Sequence, residues 1–328
     1  MQDTLLQVRN LKKYFPVKKE GYFQPQKYVK AVDDVSFDIH RGEIVGLVGE
    51  SGSGKTTVGK TILNLIEATG GSVRFEDRVL FDVEAGKQMK RDELELLRQS
   101  MQMVFQDPYA SLDPRMNVER IITEGIVKFR TCPKADIHKK AVELMAECGL
   151  DAACLQKYPH QFSGGQRQRI GIARAISLEP KLIICDEPTA ALDVSIQSQV
   201  LNLMLELREK HSMSYLFISH NLGIVQHFCN RVCVMYLGSI VEIADASQLF
   251  TNCAHPYTAA LLEATPSVKE PKTQGRILLT GEIPSPASPP TGCKFHPRCS
   301  KAMDLCARET PALKDIGGGH LTACHFCC

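Results

Sequence analysis

Apolar residues along the chain fall into two regimes. Short continuous runs, Ile44-Val45-Gly46-Leu47-Val48, Leu182-Ile183-Ile184-Cys185 and Tyr215-Leu216-Phe217-Ile218-Ser219, read as strands buried on both faces, as parallel sheets require. Elsewhere the apolar positions recur at helical spacing. Val58, Ile62, Leu63 and Ile66 predict a helix from Thr56, which Gly70-Gly71 is placed to end. Residues 87–100 read as a charged helix, Met116 to Leu155 as mostly helical with a break at Cys132-Pro133, Arg167 to Ile176 as a helix, and Ser195 to Lys210 as an amphipathic one. Shorter strands are predicted at Leu5 to Val8, Ala31 to Ile39 and Met101 to Phe105, as a hairpin from Val73 to Phe81, and as closing strands at Val232 to Met235 and Ile240 to Ile243. Strands alternating with helices predict an α/β chain whose ligands sit at the carboxyl ends of its strands.

Three of those predicted strands run into polar residues of distinct kinds. The first enters Gly49-Glu50-Ser51-Gly52-Ser53-Gly54-Lys55-Thr56, with Thr57 after it, which fits G-x-x-x-x-G-K-[ST]. In that pattern backbone N–H groups wrap a polyphosphate, the lysine reaches its outer phosphates and the threonine hydroxyl sits on Mg²⁺. A strand entering and a helix leaving is the context the mechanism needs, because a helix N-terminus favours an anion. The second ends in Asp186-Glu187: Asp186 would hold Mg²⁺ with Thr56, and Glu187 would deprotonate an attacking water. The third ends on His220, placed to contact the terminal phosphate and hold Glu187. Together they suit phosphoanhydride hydrolysis. A second helix start, Ser163-Gly164-Gly165-Gln166, is also shaped for an anion but has no lysine of its own.

Composition narrows the setting. The 328 residues are 44% apolar and 23% charged, with formal net charge +2, so no global field argues for nucleic acid or an anionic membrane. No apolar run is long enough to span a bilayer, and Met1-Gln2-Asp3-Thr4 does not open a signal peptide, so a cytoplasmic location is expected. Residues 12–30 mix Lys with Tyr and Phe, and with near-neutral overall charge they read as a solvated loop, not a nucleic-acid surface. Of the 13 cysteines, Cys293, Cys299, Cys306, Cys324, Cys327 and Cys328 crowd the last 36 residues, which in a reducing compartment points to a metal site before disulfides.

The ordered set of motifs resembles the ATP-binding cassette (ABC) family. Gly49 to Thr56 looks like its Walker A loop, Gln106 like its Q-loop glutamine and a Mg²⁺ ligand, Ser163-Gly164-Gly165-Gln166 like its signature motif, Ile183 to Glu187 like Walker B, Ala191-Leu192-Asp193 like the D-loop and His220 like the switch histidine. The resemblance implies a P-loop NTPase core of RecA type with an antiparallel β subdomain and a helical subdomain at about residues 90–178, within an ATPase domain at 1–250. It implies ATP and Mg²⁺ as ligands and a head-to-tail pair in which Ser163, Gly164, Gly165 and Gln166 act on the partner's ATP. It also implies an aromatic residue stacking on adenine, for which Tyr14 and Phe15 are both candidates.

Residues 251–328 narrow the family. His255-Pro256-Tyr257-Thr258, Gly281-Glu282-Ile283-Pro284-Ser285-Pro286 and Gly292-Cys293 resemble the extension of oligopeptide/dipeptide permease ATPases, and Tyr109-Ala110-Ser111-Leu112-Asp113-Pro114-Arg115 resembles their F-type subunit. This resemblance implies a peptide importer at the cytoplasmic face of the membrane, built with a paralogous ATPase, two transmembrane permease subunits and an extracytoplasmic substrate-binding protein. Relatives carry a [4Fe–4S] cluster here, which assigns Cys293, Cys299, Cys306 and Cys324 to a cluster, with zinc or no metal as the alternatives. Nickel, glutathione and peptides of different length remain open as cargo. A soluble family member serving DNA repair or translation, or a non-hydrolysing regulatory cassette, remains the alternative class.

Overall fold

The computed structural model describes residues 3–18, 26–264 and 281–327; part of the Lys/Tyr/Phe stretch (19–25) and Cys328 lie outside them. The chain divides into two compact units, a smaller one (Met1–Asp3, His40–Glu43, Met89–Ile218) and a larger one (Thr4–Ile39, Ile44–Gln88, Ser219–Cys328).

The larger unit opens with two long strands, β1 (Thr4–Pro16) and β2 (Tyr28–His40). Both run past their predicted ends into the stretch expected to be a loop, and the Val17 N–H still donates to the Lys27 carbonyl at 2.9 Å. Backbone pairing carries strands on through polar positions that side-chain alternation cannot flag. The strand β3 (Ile44–Val48) is buried throughout and leads into α1 (Lys55–Ile62). This helix stops a turn earlier than its apolar spacing suggests, with Asn64 in the left-handed region at φ 50°. Gly70-Gly71 therefore does not end it; those glycines open β4 (Gly70–Phe75), followed by β5 (Arg78–Asp82) and β6 (Lys87–Gln88). The five strands lie in the order β2-β1-β4-β5-β6, with Leu6 opposite Phe75 and Val73 opposite Phe81 in antiparallel register.

The smaller unit contains α2 (Arg91–Leu97), β7 (Met101–Val104), α3 (Val118–Phe129), α4 (Ile137–Glu147), α5 (Gly164–Ile176), β8 (Leu182–Asp186), α6 (Val194–His211) and β9 (Ser214–Ser219). β7, β8 and β9 are parallel neighbours, with Met101 opposite Leu182 and Asp186 opposite Ile218. Every residue of β8 and β9 is buried, as their unbroken apolar runs require. α3, α4 and α5 pack on one another around Ile121, Ile122, Leu144, Met145 and Ile170.

The chain returns to the larger unit with α7 (Leu222–Phe228), β10 (Arg231–Tyr236), β11 (Ser239–Asp245), α8 (Ala246–Thr251), α9 (Pro256–Ala264), α10 (Asp304–Arg308), β12 (Lys314–Asp315) and β13 (Leu321–Thr322). β10 runs parallel to β3 and antiparallel to β11, and β13 pairs with the far side of β11, Thr322 opposite Glu242. Glu242 is wholly buried there; it accepts from His320 Nε2 at 2.6 Å and from the N–H groups of Ala254 and His255. A buried carboxylate needs such a set of donors. No helix among the described residues is long and apolar enough to cross a membrane.

Candidate active site

In the larger unit the turn between β3 and α1 is closed by contacts only glycine allows. Gly54 has φ 104°, and a Cβ there would stand 2.0 Å from the Ala31 carbonyl oxygen. Gly49, Ser53 and Lys55 are buried, Thr56 and Thr57 half-buried, Ser51 and Gly52 exposed. The Lys55 ammonium is drawn in beneath the loop and donates to the carbonyls of Gly49 and Glu50, both at 2.8 Å, and to Ser53 Oγ at 3.3 Å. No side chain caps α1, and a helix N-terminus without a side-chain cap is suited to take an anion.

The two candidate aromatics differ sharply. The Tyr14 hydroxyl donates to Asp33, and the Lys30 ammonium lies 5.5 Å from its ring centroid. Burial first, then the bond to Asp33, pushes the Tyr14 phenol far above its ordinary range. Burial works against the Asp33 carboxylate, but hydrogen bonds from Lys294 and Tyr14 outweigh it and hold that group below the usual carboxylate range. Phe15 is 36% exposed, with Lys13 5.0 Å from its ring centroid. His220 is exposed just after β9, and Asn221 caps α7 by accepting the Ile224 N–H.

In the smaller unit Gln106 and Glu187 are brought together: Gln106 Nε2 donates to Glu187 Oε2 at 2.9 Å. Asp186, at the end of β8, is 3% exposed. Glu187 follows it with φ 45°, a left-handed conformation uncommon for a residue with a side chain, and donates its N–H to the Ile218 carbonyl at 2.9 Å. Nothing in the sequence flags that conformation; it turns the carboxylate out of the strand and toward Gln106. Strain of this kind survives where the surrounding structure fixes it, as at functional sites.

The second helix start is a reciprocal cap. Ser163 Oγ accepts the Gln166 N–H at 3.3 Å, while Gln166 Oε1 accepts the Ser163 N–H at 3.0 Å. Ser163 and Gln166 face solvent, and Gly164 and Gly165 are half-buried. A Cβ on Gly165 would lie 2.5 Å from Ile196 Cγ2, so glycine lets α5 approach α6. Asp193 is exposed at the start of α6, where Gln197 ties the preceding turn by donating to Thr189 and Leu192 carbonyls. The Tyr109 ring stacks on the Arg167 guanidinium at 3.6 Å, a tie between the segment after β7 and α5 that the sequence did not mark.

The four expected cysteines share one neighbourhood. Burial pushes the Cys293 thiol up to about 11, with Cys306, Cys324 and Cys299 adding to the effect. Cys299 is raised likewise by burial and by Cys324 and Cys306. Cys327 is engaged elsewhere, its thiol reaching the Ala254 carbonyl at 3.0 Å. Yet among the described residues no group of three or more His, Cys, Asp and Glu side chains is arranged to hold a metal ion. The donor chemistry expected for a cluster is there, and the convergent geometry is not.

Comparison with known proteins follows this geometry. The ABC transporter family profile matches residues 32–190, and that of the oligopeptide/dipeptide transporter C-terminal region matches residues 241–306. The chain is 47% identical over 328 residues (99% of its length, 98% of the relative's) to the oligopeptide transport ATP-binding protein AppF of Bacillus subtilis. The chain belongs to the ABC transporter family, in its oligopeptide/dipeptide branch. It is also 46% identical to the dipeptide transport ATP-binding protein DppF of Escherichia coli, covering 99% of this chain and 95% of DppF. Among solved structures, cbiO1 from Clostridium perfringens superposes with TM-score 0.64 at 26% identity, over 76% of this chain and 92% of that one. The ATP-binding cassette MJ0796, a dimer in a post-hydrolysis state with ADP and Pi, does so with TM-score 0.62 at 27% identity, over 74% and 99%. This ABC ATPase thus has the P-loop NTPase fold with added antiparallel and helical parts, and the family's ATPase activity goes with it.

Proposed function

We propose that this ABC ATPase hydrolyses ATP to drive uptake of di- and oligopeptides, as an ATP-binding subunit docked at the cytoplasmic face of a membrane permease. Residues 1–250 form the ATPase domain and 251–328 its extension. The observation that carries the chemistry is the Gln106–Glu187 contact at the carboxyl ends of two neighbouring parallel strands, next to buried Asp186. Glu187 takes the proton of the attacking water, and Gln106 orients the carboxylate and the water. Gly49 to Thr57 cradle the triphosphate with Lys55 on its outer phosphates, and His220 contacts the terminal one. Thr56, Gln106 and Asp186 are the residues that would hold Mg²⁺, which neutralises the charge of the phosphates. The exposed cap of Ser163 to Gln166, with Asp193, serves the ATP of a second, paralogous ATPase, as the dimeric relative suggests. Adenine stacks on Phe15, whose ring is exposed, whereas Tyr14 is committed to Asp33. The names of the relatives support peptide as cargo, and with it two permease subunits and an extracytoplasmic binding protein.

Disrupting the gene should stop uptake of labelled dipeptides and oligopeptides; wild type should restore it and Glu187→Gln should not. Intact peptide uptake with loss of nickel or glutathione uptake would correct the cargo. The cysteines supply donors for an iron–sulfur cluster or zinc, and no step of hydrolysis passes through them. Visible absorbance and metal content after anaerobic purification decide this, and a colourless sample free of iron and zinc removes the metal.

A further inference from the structure

One short stretch of the extension, Cys293 to Cys299, grips other parts of the larger unit at three successive points. Lys294 donates to Asp33 Oδ2 at 2.8 Å, to Ser239 Oγ at 2.7 Å and to the Leu237 carbonyl at 3.0 Å. Phe295 is 2% exposed, its ring edge-on to Tyr236 at 5.3 Å and tilted against Tyr257 at the same distance. The Arg298 guanidinium forks onto Glu50, Nη1 to Oε2 at 2.8 Å and Nη2 to Oε1 at 3.1 Å, with the arginine side chain 5% exposed. Glu50 is the second residue of the phosphate loop. Its N–H donates to the Tyr257 hydroxyl at 3.0 Å, and its carbonyl accepts Lys55 Nζ at 2.8 Å. The extension thus holds the carboxylate and the N–H of the same residue whose carbonyl holds the phosphate-binding lysine.

We infer that Arg298 is a positioning residue for ATP, fixing the phosphate loop through Glu50 and cancelling that residue's charge. A loop built to receive a polyphosphate ordinarily has no use for an anion, and an uncompensated carboxylate there would repel the substrate. A bidentate, buried guanidinium removes the charge with a geometry that salt screens little. The extension is then part of the ATP site, not an appendage to it. This rests on the reading of Gly49 to Thr56 as the ATP cradle.

The test uses the full chain in its transporter complex, measuring binding of a fluorescent ATP analogue together with KM and kcat. Arg298→Ala should raise KM and the dissociation constant about tenfold, the value of one charge-assisted hydrogen bond, while kcat at saturation changes less than about twofold. Adding Glu50→Gln to Arg298→Ala should recover most of that loss. Arg298→Lys, which keeps charge but not the fork, should fall between. If Arg298→Ala does not fold, Arg298→Lys and Tyr257→Phe carry the same KM-only expectation. Unchanged ATP affinity in a folded Arg298→Ala overturns the inference, as does a double variant no better than the single one. Failure of the underlying reading looks different: Lys55→Ala would then bind ATP as well as wild type.

Discussion

The phosphate loop of the larger unit and the glutamate corner of the smaller one are built on opposite plans. Around the loop several groups are fixed at once: Gly54 sits against the Ala31 carbonyl, Lys55 donates to Gly49, Glu50 and Ser53, and Glu50 is engaged at its N–H, its carbonyl and its carboxylate. The corner faces solvent, with Gln106 exposed and Glu187 half-buried. Glu187 stands in a left-handed conformation, anchored through its N–H to Ile218 and through its carboxylate to an exposed glutamine. Binding needs a cradle that exists before the ligand arrives, because ordering it afterwards would cost affinity. Hydrolysis needs a base whose surroundings can change once the ligand is in place.

That contrast breaks down into separable measurements. The largest effect belongs to the corner: Glu187→Gln should lower kcat by about 10²- to 10⁴-fold with ATP retention intact, since it removes a base and leaves the cradle alone. Phosphate release and nucleotide retention on the same sample check this; normal turnover would remove Glu187 as the base.

The rigid side of the comparison should show in acid. His255 is 1% exposed, and burial lowers its pKa from 6.5 to about 4. As pH falls the unfolded chain takes up that proton first. The stability this imidazole allows is therefore whole above about pH 6.5 and is lost toward pH 4, by up to about 3 kcal/mol. Melting temperatures of wild type and His255→Gln between pH 7.5 and 4.5 should converge at the acid end, and parallel curves would contradict the assignment.

A smaller effect separates two neighbours on β1. Phe15→Ala should raise KM for ATP about tenfold, the worth of one base stacked on an aromatic ring, and Tyr14→Phe less than about twofold. The reverse ranking would make Tyr14 the stacking residue. Smallest is the reciprocal cap: Gln166→Ala should cost about 1 kcal/mol in denaturant unfolding, without the loss of base catalysis expected at Glu187.

The parts of this chain legible from sequence are those whose chemistry demands set residue types at set spacing. Gly49 to Thr56 could be read as a glycine-rich turn between strand and helix, Asp186-Glu187 as a carboxylate pair after a buried strand and Ser163 to Gln166 as a helix cap, because these are local constructions. What escaped is non-local or conformational. Glu50 and Arg298 are separated by |i−j| = 248, and neither has a neighbour that betrays the other. The φ of Glu187 depends on what the fold around it enforces, and propensity would have argued against it. Gly70-Gly71 looked like a helix stop because glycines serve as stops and as strand openers alike; β1 supplied the partner that decided it. The cysteine spacing reads as a metal site, yet among the described residues no group of three or more ligating side chains is arranged to hold one, because spacing along the chain does not fix convergence in space.

The pairing of β13 with β11 has a consequence for how the chain is made. Ile240, Val241, Ile243 and Ala244 are apolar and buried, and Glu242 among them depends on His320. During synthesis β11 emerges long before Leu321 and Thr322, so for that interval it presents an apolar edge with open amide groups and a carboxylate lacking its histidine. Such edges recruit strands from other chains. The nascent ATPase therefore has a window of vulnerability to co-aggregation, closed when the late hairpin arrives, and shortened versions of the protein would keep that window open.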